Sequence, residues 1–276
     1  MRKKYLTNPE YLRSEQYKDS SNLDARIYLH ENFSTNKLGF YRWTFEHIGA
    51  QKHQRILDLG CGPGDLWVKN AAGIPDHWTI TLSDLSTGML ERARSRLMAY
   101  RISFPMTAAD AQRIPFPSNQ FDTVIANHML YHVPNRDGAL SEIHRILRPN
   151  GRLVAATNGK AHMQALWKMI QNLDPMNALG LNEALTTHEL PFSLENGREQ
   201  IEKYFQKVSI VRYEDSLRVA HSQPLIDYVL SMADVADILR KHADKLEEFR
   251  AAINDEICTR GAVFIAKDPG IFVAEK

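Results

Sequence analysis

The segment Arg55 to Gly64, RILDLGCGPG, constrains this chain more than any other part of its 276 residues. A short apolar run from Arg55 to Leu59 leads straight into glycines at 60, 62 and 64. The run reads as a buried parallel strand. Glycines at alternate positions clear side chains away, so the backbone can lie against a ligand and adopt positive φ. A helix is expected from about Asp65 to Ala72. By itself a strand–glycine loop–helix unit says only that a nucleotide-like ligand sits on an α/β sheet.

The same rhythm continues downstream. Trp78 to Ser83 reads as a second strand, and Ser86 to Tyr100 as a helix with Ser86 as its N-cap. Ser103 to Ala108 and Phe121 to Ala126 are further strands. Asn135 to Leu147 is a helix closed by a turn at Arg148-Pro149-Asn150-Gly151, and Arg152 to Thr157 is the fifth strand. This alternation predicts an α/β fold with a Rossmann-like, doubly wound, mostly parallel sheet and a ligand at the carboxyl ends of its strands. Around that core, at 41–158, residues 1–40 are expected to form a helical N-terminal lid. An amphipathic helix over 39–50 would bury Phe40, Trp43, Phe45 and Ile48. Residues 159–206 break the rhythm and read as a helical cap insertion. Residues 207–276 complete the sheet, with a strand at 207–213 and a terminal hairpin about Asp268-Pro269-Gly270. The charges spaced along 233–256 read as a solvated helix face.

Composition excludes little but narrows the partners. A formal net charge of +1 gives no reason to expect nucleic acid or an anionic membrane. Two cysteines, Cys61 and Cys258, far apart and outside any CxxC pair, argue against a structural zinc site or a disulfide scaffold and fit a reducing cytoplasm. No window approaches the roughly 18 apolar residues of a membrane span. The basic N-terminus lacks the apolar stretch of a secretory signal.

Two details of the glycine loop select among ligands. The dinucleotide fingerprint wants a glycine where Asp65 stands, and a carboxylate beside the helix N-terminus repels a pyrophosphate. Asp58, just before the loop, suits a cationic or amine-bearing ligand. S-adenosylmethionine carries an ammonium and a sulfonium and no phosphate, so these charges fit it better than a nicotinamide dinucleotide. Asp84, 26 residues after Asp58, closes the second strand. A carboxylate there either accepts both ribose hydroxyls or caps the next helix.

ILDLGCGPG, the Asp84 strand end, Ala109-Asp110-Ala111, FDTVIANHMLYHV and LSEIHRILRPNGRLVAAT together resemble the successive motifs of class I S-adenosylmethionine-dependent methyltransferases. The nearest likeness is to the bacterial small-molecule branch of the ubiquinone/menaquinone-biosynthesis type, tight over 55–157 and loose near 207–213 and 271–275. The resemblance implies a seven-stranded sheet and S-adenosylmethionine as cofactor, released as S-adenosylhomocysteine. It implies that Asp58, Gly60, Cys61, Gly62 and Gly64 surround the methionine moiety. Asp84 would hold the ribose, Leu85 and Met89 pack on the adenine, Asp110 and Ala111 meet its amino edge, and Asn127 and His128 lie beside the cofactor.

Methyl transfer needs in-line alignment, and needs a base only when the acceptor must lose a proton. His132 is the first candidate for that base and Tyr131 the second, although such segments also serve the backbone and cofactor pocket. Tyr11, Tyr17, Tyr28 and Phe33 could cradle the sulfonium, with Arg26 pairing the cofactor carboxylate. Tyr17 and Arg26 are the pair to test. His162, Met163, Trp167, Met169 and Met176 are candidates for an apolar acceptor pocket, or simply core. A small-molecule acceptor is expected. An RNA or protein methyltransferase, and a regulatory protein that binds S-adenosylmethionine without catalysis, are the alternatives. An NAD-dependent oxidoreductase lacks its GxGxxG spacing.

Overall fold

A computed structural model describes residues 7, 8, 10, 21–49, 53–186 and 190–276. The five apolar runs become parallel strands: β1 Gln54–Leu59, β2 Trp78–Asp84, β3 Met106–Ala108, β4 Phe121–Asn127 and β5 Leu147–Asn158. With β6 (Gln206–Arg212) and β9 (Pro269–Glu275) they form one seven-stranded sheet in the order β3-β2-β1-β4-β5-β9-β6. Only β9 runs against its neighbours, pairing antiparallel to both β5 and β6. The sheet is thus Rossmann-like and doubly wound, and strand order reverses between β1 and β4, which pair in parallel.

Alternation along the strands sends side chains to two apolar layers. Ile56, Ile80, Leu82 and Ile125 pack with Trp67, Ala93 and Leu97 of helices α3 (Asp65–Lys69) and α4 (Thr87–Met98). On the other face Leu57, Val124 and Leu153 pack with Leu140 and Ile143 of α5 (Arg136–Ile146). Burial on both faces explains why these strands read as unbroken apolar runs. The expected cap at Ser86 forms, its Oγ accepting from the Met89 N–H, and Asn135 Oδ1 likewise accepts from the Gly138 N–H.

Several expectations at the margins are corrected. The helix near residue 40 is only α2, Phe40–Glu46; Ile48 and Thr44 are buried, whereas Phe40, Trp43 and Phe45 are half-buried. Residues 148–151 do not stand outside the sheet as a turn. They form an irregularity within β5, whose register shifts between partners Phe121 and Thr123. The terminal hairpin does not exist: β8 (Val263–Ala266) pairs with β7 (Ser216–Val219) in a separate two-stranded sheet, and β9 enters the main sheet. Pro269 and Gly270 lie inside β9, so the apparent turn signal is the point where the chain changes sheets.

A second apolar core makes the cap. It joins Leu29 of α1 (Ser21–Phe33), Leu166 and Ile170 of α6 (Gln164–Gln171), and Leu181 of α7 (Leu181–Thr186). It also takes in Leu217 and Val219 of β7, with Ile265 of β8. Leu225 of α9 (Gln223–Leu230), Leu239 of α10 (Ala233–Lys241) and Phe249 of α11 (Ala243–Arg260) complete it. The packing therefore divides the chain differently from 159–206 against 207–276. Phe192, Ile201 and Phe205, around α8 (Gly197–Glu202), belong to the sheet core, whereas 216–266 belongs to the cap. On α10 and α11, Asp237, Lys241, Asp244 and Glu248 face solvent, opposite the buried Leu239 and Phe249. Among the described residues, no helix is long and apolar enough to cross a membrane.

Candidate active site

The carboxyl ends of the central strands meet in one cavity of about 810 Å³ between sheet and cap. That lies in the upper part of the range of roughly 300–1,000 Å³ for small-molecule sites. Each of four parallel strands delivers a polar residue to it: Asp58 from β1, Asp84 from β2, Asn127 from β4 and Asn158 from β5. This is where an open α/β sheet binds ligands, outside the strand ends and at the reversal of strand order.

The glycine loop is built by close approaches. A Cβ on Gly60 would lie 2.8 Å from Met129 Cβ, and Gly60 has a φ of 73°. A Cβ on Gly64 would meet Ala93 Cβ of α4 at 3.3 Å, with φ at 78°. Gly64 does not line the cavity, which corrects its expected place beside the ligand; its role is to bring α3 against α4. Gly60, Cys61 and Gly62 do line it. Burial pushes the Cys61 thiol well above its ordinary pKa, which disfavours the thiolate.

Asp84 faces the loop. Its Oδ2 accepts from the Gly62 N–H and its Oδ1 from the Ser86 N–H, each at 2.9 Å. Burial raises its pKa, against these backbone hydrogen bonds. Asp58 is 2% exposed; one oxygen accepts from Trp67 Nε1 at 2.8 Å and the other has no partner. Burial, opposed by that indole and reinforced by Asp84, lifts its pKa to about 7. A buried carboxylate with a free lone-pair face on a cavity is a site for a cation. Trp67 was not legible as its partner, because nothing in the spacing marks it.

Asp65 behaves otherwise than its sequence position suggests. It pairs with Arg96 Nη2 at 2.6 Å and does not line the cavity, so its charge is neutralised within the fold and not aimed at the ligand. Leu85, Met89, Asp110 and Ala111 also line the cavity. Asp110 accepts from the Gln112 N–H and amide.

Tyr131 and His132 also line the cavity, on a single 3₁₀ turn after β4, their rings 4.5 Å apart. His128 beside them has a φ of 51°, and its N–H donates to Ala156 O. Burial, with Lys267 and His132 adding to it, lowers its pKa to about 4, so the imidazole is neutral at pH 7. Phe40 packs on that ring at 5.1 Å.

Arg26 lines the cavity, but Ser231 of the cap engages it: Nε donates to Ser231 Oγ at 3.0 Å and Nη2 to Ser231 O at 2.9 Å. Tyr11 and Tyr17 lie outside the described residues. Tyr28 and Phe33 do not line the cavity; they pack edge-on to each other, with Phe33 also against His221. Of the five acceptor-pocket candidates only His162 lines it. Met163 is buried in the cap core, Trp167 and Met169 pack at that core's edge, and Met176 is 88% exposed. His30, Asn158, Tyr228 and Lys267, which line the far end, were missed. They come from three separate elements and the β8–β9 junction, so no local motif announces them.

Residues 57–155 match the methyltransferase domain family. The ubiquinone/menaquinone biosynthesis C-methyltransferase UbiE of Vibrio parahaemolyticus is 35% identical over 130 residues, 46% of this chain and 50% of that protein. The enzyme of the same name from Teredinibacter turnerae is 32% identical over 150 residues, 54% and 60% of the two chains. The chain spans about half the length of the curated relatives it matches. Among solved structures, Haemonchus contortus phosphoethanolamine N-methyltransferase 2 in complex with S-adenosyl-L-methionine superposes with a TM-score of 0.60 at 19% identity, covering 97% of this chain and 59% of that one. The YcgJ protein from Bacillus subtilis gives 0.56 at 15% identity, covering 86% and 97%. These likenesses establish the fold.

Proposed function

Because residues 57–155 match the methyltransferase domain family, we propose that the chain transfers a methyl group from S-adenosylmethionine to a small organic acceptor. One observation carries the reading: Asp58, buried and with one oxygen unpartnered, stands beside the glycine loop and opposite Asp84. Such an arrangement suits an amino-acid ammonium next to a ribose, and a pyrophosphate would meet only negative charge there.

The roles follow from the chemistry of each position. Asp58, Gly60, Cys61 and Gly62 hold the methionine part, with the Asn127 amide, whose oxygen is buried and unpartnered, completing that end. Asp84 keeps lone pairs for the ribose hydroxyls after serving Gly62 and Ser86. Leu85 and Met89 cover the adenine, and Asp110 with Ala111 reads its edge. Arg26 holds the carboxylate through the guanidinium nitrogen that Ser231 leaves, and Tyr17 is assigned to the sulfonium. When bound, the cofactor supplies an electrophilic methyl on a sulfonium.

Everything else asked of the chain is positioning and exclusion of water. Neutral His128 and the Phe40 ring wall the site next to the glycine loop. For acceptors that lose a proton, His132 takes it, with Tyr131 as the second candidate. A reducing cytoplasm suits the two unpaired cysteines.

The test is S-adenosylhomocysteine release over a panel of small organic acceptors. Turnover on at least one, reduced about 10²–10⁴-fold by His132→Ala where the acceptor must be deprotonated, is the expected result. Tight cofactor binding with no turnover on any panel member would instead make the chain a binding protein.

A further inference from the structure

The cavity is electrostatically two-ended. Its lining carboxylates are Glu31, Asp58, Asp84 and Asp110. The last three belong to the cofactor end, and Glu31 is paired with Lys69 at 2.9 Å. The far end, between β5, the cap and the β8–β9 junction, is lined instead by His30, Asn158, His162, Tyr228 and Lys267.

Lys267 is the unusual member. Its side chain is 6% exposed and its Nζ lies 2.5 Å from Asp215 Oδ2. Asp215 is itself fully buried and does not line the cavity. It also accepts from Ser34 Oγ, from the Asn36 N–H at 3.0 Å and from the Ser216 N–H at 2.8 Å. The carboxylate is therefore shared among donors on the side of the 34–36 segment, while the ammonium reaches the cavity wall with further N–H groups to give.

Two observations show that the pair does not cancel in the cavity. Burial lowers the pKa of His30 and of His128, and in both cases the largest charge adding to it is that of Lys267. With the His128 imidazole neutral at pH 7, the far end takes its positive potential from Lys267. Moreover, His30 Nδ1 is buried there without a partner, and the Asn158 amide, whose Oδ1 has none, can turn its NH2 toward an anionic ligand.

Resting on the methyltransferase reading above, we propose that Lys267 anchors an anionic oxygen of the acceptor, so that the substrates are small organic acids or phenols held as oxyanions. Lys267 is in this account a specificity residue, acting on binding and leaving the cofactor end untouched.

The experiment is calorimetric titration of the full chain, saturated with S-adenosylhomocysteine, against matched probes. Aromatic and aliphatic carboxylates are set against their primary amides, and phenols against their methyl ethers. At least one anionic probe is expected to bind tenfold or more tightly than its neutral isostere, and the carboxylate and phenol arms tell which oxyanion is preferred. Removing Lys267 alone would strand a buried carboxylate, so the variant is Lys267→Met with Asp215→Asn. It is expected to abolish the preference while S-adenosylhomocysteine binds within about twofold of wild type. Lys267→Arg is expected to keep it in part. A panel in which no anion outbinds its isostere, or a preference that survives the double variant, overturns the anchor and leaves the methyltransferase reading standing. Failure of S-adenosylhomocysteine to bind the wild type would instead overturn that reading.

Discussion

Asp58 carries the clearest pH signature. Its pKa of about 7 means that near neutrality the ligand-free carboxylate is partly protonated. A cation bound against it favours the charged form, so binding releases a proton whenever the pH is below about 7. Affinity for S-adenosylmethionine should be level above pH 8 and fall toward tenfold per unit below pH 7. Titration across pH 6–8 checks this, and Asp58→Asn should bind weakly with a flat profile. His128 works in the opposite sense. Its folded pKa is depressed to about 4 from an ordinary value near 6.5, so its neutral form contributes stability that is complete above pH 6.5 and lost as pH falls toward 4. The ceiling is about 3 kcal/mol, and His128→Gln should flatten that part of the stability curve in urea unfolding. At this scale the carboxylates that line the cavity were legible, because Asp58, Asp84 and Asp110 each stand at or just past the carboxyl end of a strand in one short motif. Lys267 was not, since its neighbours Asp215, His30 and Asn158 are brought together only by the cap.

At the scale of the element, the strand–loop–helix unit reads directly from glycine spacing, yet its glycines do different work. Gly60→Ala drives a Cβ into Met129 at a left-handed φ, and should cost about 1–3 kcal/mol of stability while also displacing the loop and weakening cofactor binding. Gly64→Ala strains the α3–α4 contact, so its stability loss should exceed any direct loss of affinity. Thermal unfolding with and without S-adenosylhomocysteine separates the two. The Asp268-Pro269-Gly270 signal misled because turn residues mark a change of chain direction or partner alike. Only pairing partners distant in sequence, β7 for β8 and β5 with β6 for β9, decide which.

For the whole molecule, two apolar cores stand over one cavity. The alternating pattern of 55–157 made the sheet core readable, since each strand and its helix are neighbours in sequence. The cap was readable only as an interruption, because α1, α6, β7, β8 and α9–α11 contribute to it from across the chain. Truncating the fully buried Leu217 in the cap to Ala should cost about 2–5 kcal/mol of stability, read by urea unfolding. The central claim, that this cavity holds S-adenosylmethionine with its ribose on Asp84, is tested most directly by calorimetric titration of S-adenosylmethionine and S-adenosylhomocysteine into wild type and Asp84→Ala. The account predicts that both ligands bind the wild type and that the variant, still folded, loses about 1.5–3 kcal/mol, tenfold or more in affinity. A folded, ligand-free wild type that binds neither, or an Asp84→Ala variant that binds as tightly as wild type, would contradict it.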